Sequence, residues 1–139
     1  MLFRSKGNWF YEIVDNGYKY NTTDMNSALG IAQLNKLDWM SEQRKRVAEQ
    51  YMALFNDTSI STLFIPEHVE SSWHLFVIKV DNRDELYKKL KENHIGSSVH
   101  FIPIHYHPYY KEKYGYKMED YPVANRVFEQ SLSLPIFPE

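Results

Sequence analysis

The sequence predicts an α/β chain in which two helices lead into a small mixed β-sheet packed with further helices. Three observations predict it. Apolar residues recur at spacings of three and four from Met25 to Leu34 and again from Met40 to Phe55. A strand, helix, strand pattern runs from Trp73 to Phe101, and a last short strand closes the chain at Ser131 to Phe137. With 139 residues, one compact core is within reach.

Met1 to Asn16 shows no clean period. Gly17 to Asp38, GYKYNTTDMNSALGIAQLNKLD, is a polar loop that turns at once into a helix. Asn21 or Thr22 can serve as N-cap, because a short side-chain oxygen accepts from the free amides of the first turn, and Asp24 favours the positive end of the helix dipole. Met25, Ala28, Leu29, Ile31, Ala32 and Leu34 share one broad face, which is expected to be buried. Lys19 and Asn21 are thereby held at the mouth of a helix N-terminus, a place that suits an anion and above all a phosphate.

A break near Lys36 to Asp38 precedes a second helix, Trp39 to Phe55, with Met40, Val47, Ala48, Tyr51 and Phe55 along one face. Its basic run, Arg44 to Arg46, lies beside Glu42 and Glu49 and reads as a solvated face. Asn56 to Ser72 holds turn formers, a β-prone piece at Ser61 to Ile65 and an acidic patch, and is the candidate boundary. Trp73 to Val80 reads as a buried strand ended by Asp81 and Asn82. Arg83 to Asn93 is an amphipathic helix with Leu86, Tyr87 and Leu90 inward, and Gly96 suits its C-terminal stop. Ser97 to Phe101 returns as a strand, which implies parallel pairing with the first unless another strand lies between. Ile102 to Tyr116 reads as a loop, rich in tyrosine and histidine, of the kind that binds ligands. Tyr121 to Gln130 is a short helix opened by Pro122.

A net charge of −2 gives no broad basic field for nucleic acid or an anionic membrane. The absence of cysteine removes disulfides, a thiolate nucleophile and cysteine zinc sites, and is compatible with cytoplasm. Apolar runs are far too short for a membrane span. His100, His105 and His107 invite a metal reading, but an extended chain puts His105 and His107 on one face and His100 on the other. His100, at the end of a strand, is either a core histidine bonded to backbone or a cleft-facing ligand group. Tyr106, Tyr109 and Tyr110 could stack on a base or a sugar, or could form a small aromatic core that pins the loop. There is no Gly-rich phosphate loop, and Ser97 and Ser98 are too adjacent to His100 for a catalytic set.

GYKYNTTDMNSALGIAQLNKLD resembles the signature of the DegT-type sugar-nucleotide aminotransferases, pyridoxal-phosphate enzymes of fold type I. WHLFVIKV, GSSVHFIPIHYHPYYKEKYG and SLSLPIFP resemble that family's next motifs, in its order and near its usual spacing, so that the similarity covers Asn8 to Pro138. At the start, LFRSKG is similar to a further family segment, with Lys6 where a histidine is common. The resemblance implies the C-terminal part of the enzyme. Residues 1–56 would be the end of the large cofactor domain and its connector helices, and residues 57–139 the small C-terminal α/β domain without its last helix. The family's cofactor lysine lies upstream of the matched stretch, so no catalytic residue is expected here and the isolated chain is expected to be inactive.

For the whole enzyme the resemblance implies pyridoxal 5'-phosphate, an amino donor, usually glutamate, and a keto sugar linked to a nucleotide. It also implies a second copy of the chain, with active sites shared across a homodimer. Lys19 and Asn21 would bind the cofactor, and His100 and Tyr110 the substrate, with no metal. In the family's GYNYR form an asparagine reaches the cofactor phosphate of the neighbouring subunit, and Lys19 stands at its position here, with Asn21 two residues on. Two rivals stand beside this reading: a non-catalytic interaction or regulatory module derived from the fold, and a histidine-metal hydrolase.

Overall fold

A computed structural model describes residues 2–5 and 11–138 of the chain. The expectation about Lys6 lies outside these described residues. Contacts divide the chain into two compact units, Met1–Leu37 and Asp38–Glu139.

The first unit opens with strands β1 (Leu2–Ser5) and β2 (Tyr11–Asp15), which pair antiparallel with Phe3 opposite Ile13, Arg4 opposite Glu12, and an irregularity between Leu2 and Phe3. The sequence shows no period here for a physical reason. Glu12, Ile13 and Val14 are all exposed, so no one-sided burial imposes the alternation that marks a strand.

Helix α1 (Asp24–Leu34) follows the loop, with Asp24 in its first turn as expected. Its N-cap is Thr23, not Asn21 or Thr22. Thr23 has the extended backbone (φ −83°, ψ 154°) that a cap requires, and its Oγ1 accepts from the amide of Asn26 at 3.3 Å. The apolar face expected to be buried is exposed: no residue of α1 is buried, and Met25 and Ile31 are 84% and 63% exposed. Spacing establishes that a helix has an apolar face; it does not say what covers it.

In the second unit, helix α2 (Leu37–Phe55) shares its core with the segments that follow, so the boundary between compact units falls at the start of this helix. Strands β3 (Ser61–Thr62), β4 (Phe76–Lys79) and β5 (Ser131–Leu134) form a sheet of order β3-β4-β5 with antiparallel pairing throughout. Helix α3 (Arg83–Glu92) leaves β4 and leads towards Ser98. The expected strand Ser97 to Phe101 is reduced to a bridge, in which Ser98 and Ser133 exchange backbone hydrogen bonds of 2.8 and 3.1 Å. Because β5 is antiparallel to both, the Ser98 segment runs parallel to β4 with β5 between them, the intervening strand that the sequence pattern left open.

Within α3, Leu86 and Leu90 pack on the core, whereas Tyr87 is exposed and Arg83 is buried. The helix stops before Gly96: Asn93 caps it, with its side-chain amide donating to the Lys89 carbonyl at 2.8 Å, and His94 takes the left-handed conformation (φ 59°). Past the bridge, a 3₁₀ turn (Ile104–Tyr106) and helix α4 (Pro108–Tyr114) replace the expected loop. Proline at the first helical position and Gly115 in the left-handed conformation (φ 67°) bound α4. A further 3₁₀ turn (Met118–Asp120) leads to helix α5 (Pro122–Gln130), opened by Pro122 as expected.

The core is small: Ala48 of α2, Phe76 and Ile78 of β4, and Leu132 of β5 are fully buried. Tyr51, Phe55 and Trp73 set their rings around Phe76 at centroid distances of 4.9, 6.4 and 5.8 Å. The Tyr51 hydroxyl donates to the Pro135 carbonyl at 2.9 Å, and burial pushes its phenol above the ordinary value.

Two outcomes follow from this packing. Phe76→Ala should cost about 3–5 kcal/mol in chemical denaturation, because three rings lose their common neighbour, while Phe64→Ala, at an exposed position, should stay within about 0.5 kcal/mol. Thr23→Ala should weaken α1 by about 1 kcal/mol, read by amide exchange across its first turn, and Asn21→Ala by at most a few tenths of that.

Candidate functional site

Lys19 and Asn21 lie in the loop between β2 and α1, in the first unit, and both are exposed. The rings of Tyr18 and Tyr20 meet at 5.7 Å with a 40° tilt, so the tyrosines share one side of the loop and alternation assigns Lys19 and Asn21 to the other. Thr23 takes the capping role, which leaves the Asn21 amide outside the helix's own hydrogen bonding. Neither Lys19 nor Asn21 forms a side-chain hydrogen bond or ion pair with another described residue. A cation, an amide donor and the first-turn amides of an eleven-residue helix are thus grouped within a few residues of chain, which is the donor set that a phosphate dianion accepts from.

His100 and Tyr110 belong to the second unit. His100 is half-buried, and its Nδ1 lies 2.9 Å from the hydroxyl of Ser133 on β5. Its ring meets that of Phe101 edge-on at 4.7 Å. No described residue bonds its Nε2. The histidine is therefore anchored through one nitrogen by a side chain, and not by backbone.

Tyr110 has different partners. It meets Tyr109 edge-on at 5.2 Å and stacks with Tyr114 at 6.2 Å; Tyr114 stacks on Tyr116 at 5.5 Å, and Tyr116 meets Tyr121 at 5.7 Å. The series ends on His105, whose ring stacks on Tyr121 at 4.5 Å. His105 is only 5% exposed and sits 2.6 Å from Asn125 Oδ1. The Asn125 amide nitrogen donates to the Met118 carbonyl at 2.7 Å, so its oxygen must accept, and His105 Nε2 carries the proton. Tyr106 packs edge-on against Phe128 at 5.3 Å, and the Arg83 guanidinium covers the Phe128 ring at 5.2 Å.

The tyrosine group is therefore largely the pin of its own segment, with Tyr109, Tyr110 and Tyr114 keeping exposed edges. His105 and His107 do not share a face. The 3₁₀ turn replaces the extended chain assumed from sequence, burying His105 and leaving His107 exposed at the start of α4. Among the described residues, no group of three or more His, Asp or Glu side chains is placed to hold a metal ion. An open cleft of about 370 Å³ lined by Lys45, Glu49, Glu70 and Trp73 contains none of the four candidate residues.

Sequence reasoning missed Ser133. Its signal was the alternation in SLSL, where a strand sets Ser131 and Ser133 on one side and the two leucines on the other.

The sequence signature of the DegT/DnrJ/EryC1/StrS aminotransferase family matches residues 2–139. Among curated proteins, the uncharacterized protein MJ1066 of Methanocaldococcus jannaschii is 43% identical over 99% of this chain and 37% of its own length. The spore coat polysaccharide biosynthesis protein SpsC of Bacillus subtilis is 40% identical over 98% of this chain and, again, 37% of its own length. This chain thus spans a little over a third of these relatives.

Among solved structures, Spr1654 of Streptococcus pneumoniae, which is named as a sugar aminotransferase, superposes in its PLP-form with a TM-score of 0.78 at 33% identity. That superposition covers 95% of this chain and 35% of the pneumococcal one. A PMP-form of the same protein superposes equally well, with a TM-score of 0.78.

Enzymes of this family use pyridoxal phosphate. The loop before α1 fits the phosphate of that cofactor by its donor set. The four sequence motifs, the fold they build and the match along residues 2–139 agree: this chain belongs to the DegT/DnrJ/EryC1/StrS aminotransferase family.

Proposed function

We propose that this chain is the C-terminal portion of a pyridoxal-phosphate-dependent aminotransferase that moves an amino group, taken from glutamate, to a keto sugar linked to a nucleotide. The observation that carries this reading is the family match along the chain, together with a cation and an amide at the N-terminus of α1 that the helix does not use for its own cap. Residues 1–56 belong to the end of the large cofactor domain and its connector helices, and residues 57–139 to the small domain. The exposed apolar face of α1 is covered by the rest of that large domain in the whole protein.

Pyridoxal phosphate, when bound, supplies the electron sink for the chemistry. The residues of this chain bind and orient. Lys19 and Asn21 hold the phosphate of a site in the second copy, and a charge-assisted contact of this kind contributes about 1.5–3 kcal/mol. His100 offers Nε2 to the sugar substrate, and the exposed edge of Tyr110 supports its apolar face. By itself the chain is inactive, and the whole enzyme works as a homodimer in the cytoplasm. No described helix is long and apolar enough to cross a membrane. A second reading, a non-catalytic interaction module, draws on the same uncovered face of α1.

The test is made in a full-length enzyme carrying this chain as its matching segment, with the two half-reactions followed separately by cofactor absorbance. Glutamate should change the absorbance and a nucleotide-linked keto sugar should reverse the change. His100→Ala should lower kcat/KM for the sugar half-reaction by about 10-fold or more while the glutamate half-reaction stays within about 2-fold, because it removes a contact to one substrate only. Equal losses in both half-reactions, or none in either, would remove His100 from the substrate side. A protein whose absorbance no amino donor changes would leave the interaction module standing.

A further inference from the structure

We infer that Ser133 is the positioning residue of His100: its hydroxyl donates to Nδ1, keeps the proton on Nε2 and so presents an N–H donor to an acceptor oxygen of the sugar substrate. This rests on the reading that His100 faces substrate, and it adds which nitrogen does so, in which protonation state, and what holds it there.

Ser133 is 4% exposed, and its Oγ lies 2.9 Å from His100 Nδ1. Its backbone has no freedom to carry the hydroxyl away. The amide donates to the Ser98 carbonyl at 2.8 Å and the carbonyl accepts from the Ser98 amide at 3.1 Å, while on the other side of β5 the residue stands opposite Val77 of β4. The anchor is thus fixed by two neighbouring segments before the imidazole is placed. His100 follows Ser98 by two residues, so the bridge that locks Ser133 also sets the segment from which the histidine projects.

In a neutral imidazole one nitrogen donates and the other accepts, and the bond made by one decides the state of the other. No other described residue bonds the Ser133 hydroxyl, so its proton is available to Nδ1, and that is the direction we assign to the 2.9 Å contact. With Nδ1 accepting, Nε2 carries the hydrogen and remains the ring's only donor. A donor at that place suits an anionic phosphate oxygen or a sugar oxygen, and it is not a group that would take a proton from the substrate. The serine can also turn to accept from Nδ1–H if the ring becomes charged, so the anchor survives protonation of the histidine while the Nε2–H is kept.

The experiment is nitrogen NMR of the chain with labelled histidine, at a pH where the ring is neutral, paired with half-reaction kinetics in the full-length enzyme. In the unaltered chain His100 should show an acceptor-type Nδ1 and a protonated Nε2, in contrast to exposed His107, whose two nitrogens should average between tautomers. This part needs no variant. Ser133→Ala should abolish the bias at His100, and Ser133→Thr, which keeps the hydroxyl, should restore it. In the enzyme, Ser133→Ala should raise KM for the sugar by roughly 2- to 12-fold, the range expected for one hydrogen bond, and leave the glutamate half-reaction unchanged. A His100 protonated on Nδ1, or averaging like His107, would overturn the positioning role. So would a Ser133→Ala protein with unaltered ring signals and sugar KM in an enzyme that His100→Ala does damage. If His100→Ala itself is without effect on the sugar, the substrate-side reading beneath this inference fails, and that result is separate from the ring measurement.

Discussion

The second unit depends on one strand, β5, being held between β4 and the Ser98 segment. Leu132 is buried in the core on this strand, and Phe76 and Ile78 sit on the β4 positions that pair with Leu134 and Leu132. At its start, the Val80 amide donates to the Gln130 carbonyl at 3.0 Å and Arg83 reaches the Ser131 carbonyl. Past its end, Pro135 accepts from Tyr51 of α2. Among the described residues, a core of four fully buried apolar side chains supplies limited hydrophobic free energy, so the unit relies on these directed bonds to fix its register. The same strand brings the Ser133 hydroxyl to His100. Packing, strand register and the placement of His100 are therefore one constraint seen at three scales.

The aromatic segment after His100 shows how composition can mislead about role. Tyrosines so dense suggest a recognition loop, yet most of their rings are spent on one another and on His105, Tyr121 and Phe128. Edge-to-face and stacked pairs contribute about 0.5–1.5 kcal/mol each beyond burial, enough to hold a segment made of short helices and turns. His105 belongs to this scaffold. Asn125 fixes its protonated nitrogen and ties it to the Met118 carbonyl. Tyr110 stands where the scaffold meets solvent, packed against Tyr109 and Tyr114 and with one edge exposed.

Much of the fold was legible because burial writes a period into sequence. Helices α2 and α3 were visible in that way, while β4 showed in its run of aromatic and branched residues, α5 in Pro122 and β5 as a short closing strand, and the intervening strand was allowed for by the crossover pattern. Other features leave no such mark. The β1–β2 pair has exposed residues on both faces of β2, so no alternation selects it. The face of α1 was read from its spacing, but its exposure was not, because periodicity is blind to what lies opposite. Helix α4 carried its own signals in Pro108 and Gly115, which the tyrosines between them obscured. Of the candidate residues, Lys19 and Asn21 were legible from their place before a helix N-terminus and Tyr110 from the density of tyrosines, and motif resemblance selected these and His100. Ser133 was not legible, since the alternation in SLSL gives its side of the strand but not its contact with His100, more than thirty residues away.

The central claim is that this chain supplies one part of a composite site, with the loop before α1 serving the cofactor phosphate of a second copy. The direct measurement mixes two inactive forms of a full-length enzyme carrying this chain, one with Lys19→Ala and Asn21→Ala together, the other lacking the cofactor lysine. If the loop acts across the interface, each mixed dimer holds one site with both defects and one with neither, and activity should return to about a quarter of the unaltered enzyme for random assortment of equal amounts. No recovery in a sample where mixed dimers are shown to have formed would contradict the account.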